Sequence, residues 1–184
     1  MQTDINDPRT WILLVYTVPA QPTRKRALVW RELKKSGAVY LRDGVAVLPE
    51  HENTLEAFHA LAAKIEAMSG RATVITNAAI AAEARDSIIA DAQAARAAEY
   101  QEIVREATAF LDHLQREAPH RELGGTELAA LDTDVGKLNR WFEQVQARDY
   151  FSAARAENPR DLVEQCARTL EALVRSPVRV DMAP

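Results

Sequence analysis

Six basic side chains crowd one short stretch of the chain: Arg24, Lys25, Arg26, Arg31, Lys34 and Lys35. On a helix of 3.6 residues per turn, Arg24, Arg31 and Lys35 fall within about 40° of one another, with Lys34 at the flank. Val29, Leu33 and Trp30 then take the opposite, core-facing side. A stripe of guanidinium and ammonium groups can neutralise phosphates or hold a small anion. The same stripe can equally be ordinary solvated helix surface, because exposed charge costs little. Lys25 and Arg26 would lie in the first turn, where cations oppose the helix dipole, so helix stability does not favour them there. All six are therefore candidate nucleic-acid or anion-binding residues.

Little else in the chain has the spacing that chemistry requires. His51, His59, His113 and His120 show no short metal-ligand spacing and have no accompanying cysteine or carboxylate cluster. No glycine-rich phosphate loop and no nucleophile-elbow motif occurs; Gly124-Gly125 reads as a break between helices. Asp132 and Asp134 are two residues apart, which points their carboxylates to different sides of a helix. Cys166 is the single cysteine, so no internal disulfide can form, and its position on an apolar stripe predicts a buried, unreactive thiol. Trp30 and Trp141 fall on apolar helix faces and are expected in the core, Trp11 opens the first strand, and none of the three reads as a stacking platform. The expectation is a protein without catalytic residues, cofactor or metal, and not an enzyme.

Composition agrees with a helix-rich chain of one domain or two small ones. Aromatic residues make up 6% of the 184 residues and there are six glycines, which argues against an all-β sandwich. The net charge of −4 conceals an asymmetry: residues 9–42 carry eight Arg or Lys against one acid, whereas residues 43–184 carry fifteen against twenty-four. A basic region in an acidic chain creates a local positive field that can steer an anionic partner. No long uncharged apolar run is present, and Met1-Gln2-Thr3-Asp4 lacks the start of a signal peptide, so a cytoplasmic location without membrane contact is expected.

The elements that must position the basic stripe follow from periodicity and turn chemistry. Trp11 to Val18 is a short β-branched apolar run ending at Pro19, as in a central strand buried on both faces. Thr23 is placed to cap a helix that runs to Ser36 and stops at Gly37. Ala38–Arg42 and Val45–Pro49 flank Asp43-Gly44, a strong hairpin signal. Asn53-Thr54-Leu55-Glu56 predicts a capping-box start for a helix carrying Leu55, Phe58, Ala62 and Ile65, ended by Gly70. Arg71 to Thr76 reads as a fourth strand. The order β-α-β-β-α-β is the ferredoxin-like arrangement, with both helices on one sheet face. The other face needs a cover, either a second copy of the chain or its own remaining helices.

Those helices begin at Ala81. Tyr100, Ile103, Ala107, Phe110 and Leu114 form an apolar stripe, while Glu83 to Ala98 is weakly apolar and reads as exposed or partner-facing. After a break over Pro119–Gly125, Thr126 is placed to cap a helix with the stripe Leu128, Leu131, Val135, Leu138, Phe142 and Val145. Asn158-Pro159 opens a last helix through Leu162, Cys166, Leu170 and Leu173 to Pro177. The fold class expected is α+β: a ferredoxin-like βαββαβ unit over residues 9–77, then an all-helical half of three or more helices over 81–176, packed on or beside it.

The string Trp11-Ile12-Leu13-Leu14-Val15-Tyr16-Thr17-Val18-Pro19, with Pro22, Arg24, Arg26, Val29-Trp30-Arg31, Leu33, Gly37-Ala38-Val39, Leu41, Asp43-Gly44-Val45 and Val47-Leu48-Pro49, resembles the N-terminal domain of the ChrB chromate-resistance family. Tyr100, Phe110-Leu111, Leu138, Arg148-Asp149-Tyr150-Phe151 and the Cys166 helix look like the helical continuation of that domain, so the resemblance spans most of residues 10–176. It implies chromate-responsive transcriptional regulation, with the basic residues Arg24, Lys25, Arg26, Arg31, Lys34 and Lys35 in contact with DNA. Full-length members carry a second, C-terminal domain that does not follow here, so chromate sensing by this chain alone is not expected. The first segment is more distantly similar to the ferredoxin-like domain of PaaX-type repressors and of small CRISPR adaptation nucleases. Those nucleases place a metal-binding aspartate where Thr17 stands, and nuclease activity is not expected either.

Together these readings imply a non-enzymatic, homodimeric, DNA-associated regulator of the chromate or stress response, with duplex DNA as partner. The alternative is a protein-interaction or oxyanion-responsive accessory module that takes chromate or another oxyanion and does not bind DNA.

Overall fold

The computed structural model describes residues 10–117, 124–153 and 158–175. Its elements are β1 (Trp11–Thr17), α1 (Thr23–Ser36), β2 (Val39–Arg42), β3 (Val45–Pro49), α2 (Glu52–Ala67), β4 (Arg71–Ala78), α3 (Ala82–Glu117), α4 (Gly125–Gln146) and α5 (Pro159–Arg175). The described residues fall into two compact units: 10–95 with 148–153, and 96–117 with 124–147 and 158–175.

In the first unit the four strands form one antiparallel sheet in the order β2-β3-β1-β4. That order, with a helix after β1 and after β3, is the ferredoxin-like α+β topology. Alternation along the strands sorts the side chains onto two faces. Ile12 and Leu14 of β1 and Ala46 and Leu48 of β3 meet Val29 and Leu33 of α1 and Phe58, Leu61 and Ile65 of α2 in one core. Trp11 and Val47 point to the other face, where Ile88 and Ala92 of α3 and Phe151 cover them. Trp11 and Phe151 stack with ring centroids 5.8 Å apart. The weakly apolar start of α3 thus covers part of that sheet face through Ile88, Ile89 and Ala92. The cover does not extend over Val15 of β1 and Ile75 of β4, which stay 39% and 43% exposed.

Three helix starts differ from expectation. Pro22, extended at φ −77°, is the residue that precedes α1, so Thr23 is already helical and its hydroxyl makes no cap. At α2 the capping residue is His51, ahead of the expected Asn53. Thr54 is the third helical residue, and its hydroxyl accepts the His51 N–H at 2.9 Å and donates to the Pro49 carbonyl at 2.7 Å. At α4 the cap is Gly124, whose carbonyl accepts from Glu127 and Leu128 at 3.0 Å, while Thr126 makes no cap. The Asp43-Gly44 hairpin forms with Gly44 at φ 75° and an irregularity between Tyr40 and Arg42. A side chain on Gly44 would meet the Tyr16 carbonyl at 2.5 Å, so β1 passes too close for any other residue.

The second unit is helical. Tyr100, Ile103, Ala107, Leu111 and Leu114 of α3, Leu131, Val135, Leu138, Phe142 and Val145 of α4, and Val163, Cys166 and Leu170 of α5 are buried. Asn158 caps α5 through its side-chain oxygen, 3.2 Å from the Arg160 N–H. The Cys166 thiol lies 3.5 Å from the Ala107 carbonyl, and burial pushes its pKa up to about 11. Pro119 to Leu123 of the expected break, His120 and Pro177 lie outside the described residues. No helix among the described residues is long and apolar enough to cross a membrane.

Candidate nucleic-acid and anion interface

The basic stripe rides on a helix fixed at both ends. Val29 and Leu33 anchor α1 in the sheet core at 1% and 0% exposure. At its C-terminus Gly37 turns left-handed at φ 75°, returning the Ala38 N–H to the Leu33 carbonyl at 3.1 Å. The segment 148–151 then clasps this end. Arg148 Nη1 donates to the Lys34 carbonyl at 3.0 Å, and the Tyr150 hydroxyl donates to the Ser36 carbonyl at 3.0 Å. The Ser36 carbonyl thereby gains a donor, and the Lys34 carbonyl, which already accepts the Gly37 N–H at 3.1 Å, gains a second one.

Against this frame the six candidate residues separate. Arg24 and Arg31 are exposed, Lys35 beside them on the outward face is exposed too, and none of the three makes a hydrogen bond or ion pair among the described residues. Lys34 and Lys35 lie in the last turn, where the helix dipole favours cations, so these two have a structural reason to be basic. Arg24 and Arg31 have none of that kind. Lys25 is turned inward: its Nζ donates to the Met68 carbonyl at 2.8 Å and ties the end of α2 to the start of α1. The one acid of the stretch, Glu32, is answered by Lys64 of α2 at 2.6 Å. The Lys64 hydrogen bond holds the Glu32 carboxyl below the usual carboxylate range, with Lys35 and Arg31 adding smaller contributions.

Arg26 leaves the stripe and borders a groove. An open cleft of about 740 Å³ runs between α1 and the β2–β3 hairpin, lined on the helix side by Thr23, Arg26 and Trp30 and on the sheet side by Tyr16, Tyr40 and Asp43. Trp30 is 50% exposed, which corrects its assignment to the core. The reason is angular: Trp30 sits about 60° around the helix from Leu33 and about 40° from Lys34, past the edge of the buried sector. The Lys34 ammonium lies 4.6 Å from the centre of the indole ring, a cation–π contact. Burial, then the Asp43 carboxylate, raises the Tyr16 pKa, which Arg26 partly offsets. Burial and neighbouring Tyr16 push Tyr40 up to about 12. Both phenols therefore stay protonated and can donate hydrogen bonds. Sequence reading missed this aromatic flank, yet a signal was available: Trp30 is four residues from both Arg26 and Lys34, which places it among cations.

The other singled-out side chains are dispersed. His51 caps α2, His59 is exposed on α2, and His113 lines a shallow groove between α3 and α4. Trp141, also expected in the core, is half-buried on that same groove, since its ring lies at the margin of the Leu138–Phe142 stripe. Among the described residues, no three His, Cys, Asp or Glu side chains are grouped to hold a metal.

A ferredoxin-like sheet that presents a cationic helix, followed by a helical region, defines an α+β protein with an exposed basic surface. Residues 26–178 match the family described as Protein ChrB, N-terminal, and the chain belongs to that family. Membership relates it to chromate resistance. A search of curated proteins finds no match.

Proposed function

We propose that the chain is a non-enzymatic regulatory module of chromate resistance that associates with duplex DNA as a homodimer through the outward face of α1. Arg24, Arg31, Lys34 and Lys35 neutralise backbone phosphates, and dimer symmetry sets the spacing of the two contacts on the duplex. The observation that carries this reading is the pair Arg24 and Arg31, exposed on one face of a helix rigidly held at both ends, without intramolecular partners among the described residues and without a helix-dipole reason to be basic. The exposed Val15 and Ile75 supply apolar surface on the sheet for the second copy. Lys25 does not belong to the contact, because its ammonium is spent on Met68.

Fluorescence anisotropy against duplex from the chain's own upstream region and against scrambled duplex, at two salt concentrations with and without chromate, tests it. Four phosphate contacts per subunit, eight per homodimer, give a slope of log affinity on log salt of about −7. Reversing two of them in each subunit with Arg31→Glu/Lys35→Glu lowers the magnitude of that slope by about 4. Absence of binding to either duplex at low salt removes the reading and leaves the accessory interaction module, for which chromate would raise thermal stability saturably.

A further inference from the structure

The groove beside α1 is not used by the phosphate contacts, which lie on the outward face of the same helix. Its walls combine three kinds of group. Trp30 offers a half-exposed indole, and Tyr16 and Tyr40 offer two further rings. Arg26 supplies a guanidinium. Asp43 supplies an acceptor at the hairpin turn. Among the described residues the Tyr16 and Tyr40 hydroxyls make no hydrogen bond, so two donors are left for a ligand. Aromatic faces alternating with cations bind planar rings that carry a negative charge, because stacking and charge neutralisation act on different parts of one ligand. A carboxylate among the donors suits a ring bearing an amino group and disfavours a densely charged inorganic anion. The cleft, at about 740 Å³, is in the size range of small-molecule sites.

We propose that this groove binds a nucleoside monophosphate unit, the base stacked on Trp30 and the phosphate held by Arg26. The unit can be a free mononucleotide or an unpaired nucleotide of a single strand. The proposal goes beyond the duplex contact and does not depend on Arg31 or Lys35.

The test follows the indole N–H signals of the full chain by ¹⁵N-resolved NMR. Three tryptophans give three signals, and Trp30→Phe identifies the one that belongs to Trp30. Titration with AMP is expected to shift that signal saturably while the signal of buried Trp11 stays in place, and Arg26→Gln is expected to weaken binding at least about fivefold, as loss of a charged hydrogen bond does. A shift with a short single-stranded oligonucleotide but not with AMP supports the same site with the strand as source. An equal shift with ribose 5-phosphate overturns the proposal, since no base is then needed. No movement of the Trp30 signal with either AMP or the oligonucleotide overturns it as well. The Arg31→Glu/Lys35→Glu variant is expected to keep the AMP shift in full. Absence of duplex binding by the parent chain together with an AMP shift removes the duplex reading alone, and duplex binding by the parent chain without an AMP shift removes the groove alone.

Discussion

Gly37 is where two distant parts of the chain meet, and replacing it measures how firmly the basic helix is held. A methyl group at this position would meet Arg148 Cβ at 3.0 Å, the Arg148 carbonyl at 3.1 Å and Tyr150 Cε2 at 3.2 Å. The backbone is also left-handed there, at φ 75°. Left-handed backbone costs an alanine about 1–2 kcal/mol. Crowding against a backbone carbonyl and a Cβ, neither of which can swing aside, adds about 1 kcal/mol. The reduced freedom of the unfolded chain returns about 0.5 kcal/mol. Gly37→Ala is therefore expected to lower stability by about 2 kcal/mol, read as a drop in the urea midpoint followed by tryptophan fluorescence and circular dichroism. Gly37→Asn separates the two causes, because asparagine tolerates left-handed backbone but brings the same Cβ. It is expected to recover only the conformational part, about half of the loss. An alanine variant within 0.5 kcal/mol of the parent would refute both the left-handed turn and the clasp by residues 148–150. Full recovery in the asparagine variant would refute the clasp alone.

Three further outcomes follow from the same geometry. Lys25→Ala removes the hydrogen bond to Met68 and is expected to cost about 1 kcal/mol in urea unfolding while leaving the salt dependence of DNA binding unchanged; a smaller salt slope would return Lys25 to the interface. Cys166 is held neutral to about pH 11, whereas an unfolded thiol ionises near 9. Its contribution is complete below pH 9 and is lost as pH rises to about 11, by up to roughly 2–3 kcal/mol. Cys166→Ala should abolish that alkaline step, and native alkylation by iodoacetamide at pH 8 should be slow compared with the unfolded chain. Tyr40 is expected to ionise near pH 12 by ultraviolet titration, identified by its loss in Tyr40→Phe. Because the folded pKa lies above the unfolded value near 10, stability again falls between pH 10 and 12, though by much less than the shift alone implies for a ring 38% exposed. Ionisation near pH 10 would show that the groove is open to bulk water at that wall.

Local signals made much of the fold legible. The β-branched run of β1, the Asp-Gly hairpin and Gly37 after a helix each carry their meaning in a few adjacent residues, and α1, β2 and β3 lie where those residues put them. The capping errors at Thr23, Asn53 and Thr126 share one origin. A hydroxyl or amide next to a helical run looks like a cap, but whether it caps depends on the backbone angles of its neighbours, and at His51 the bonded hydroxyl belongs to the third helical residue. The basic residues were equally visible, whereas their division was not. Composition cannot tell that Lys25 turns inward to Met68 and Arg31 outward, because that depends on where α2 ends, some forty residues away.

By itself the amino-acid order determined the βαββαβ succession, the helical second half and the cationic face of α1, since periodicity, turn residues and charge act over one or two turns of chain. Only the tertiary structure decided what covers the second sheet face, what holds the end of α1, and that Trp30 lines a groove instead of the core. Each of those depends on segments far apart in sequence: Ile88 and Phe151 over Trp11, and Arg148 and Tyr150 at Lys34 and Ser36. Apolar periodicity ranks which side of a helix is buried, but the width of the buried sector is set by the surface it packs on, and Trp30 faces an open cleft between α1 and the β2–β3 hairpin.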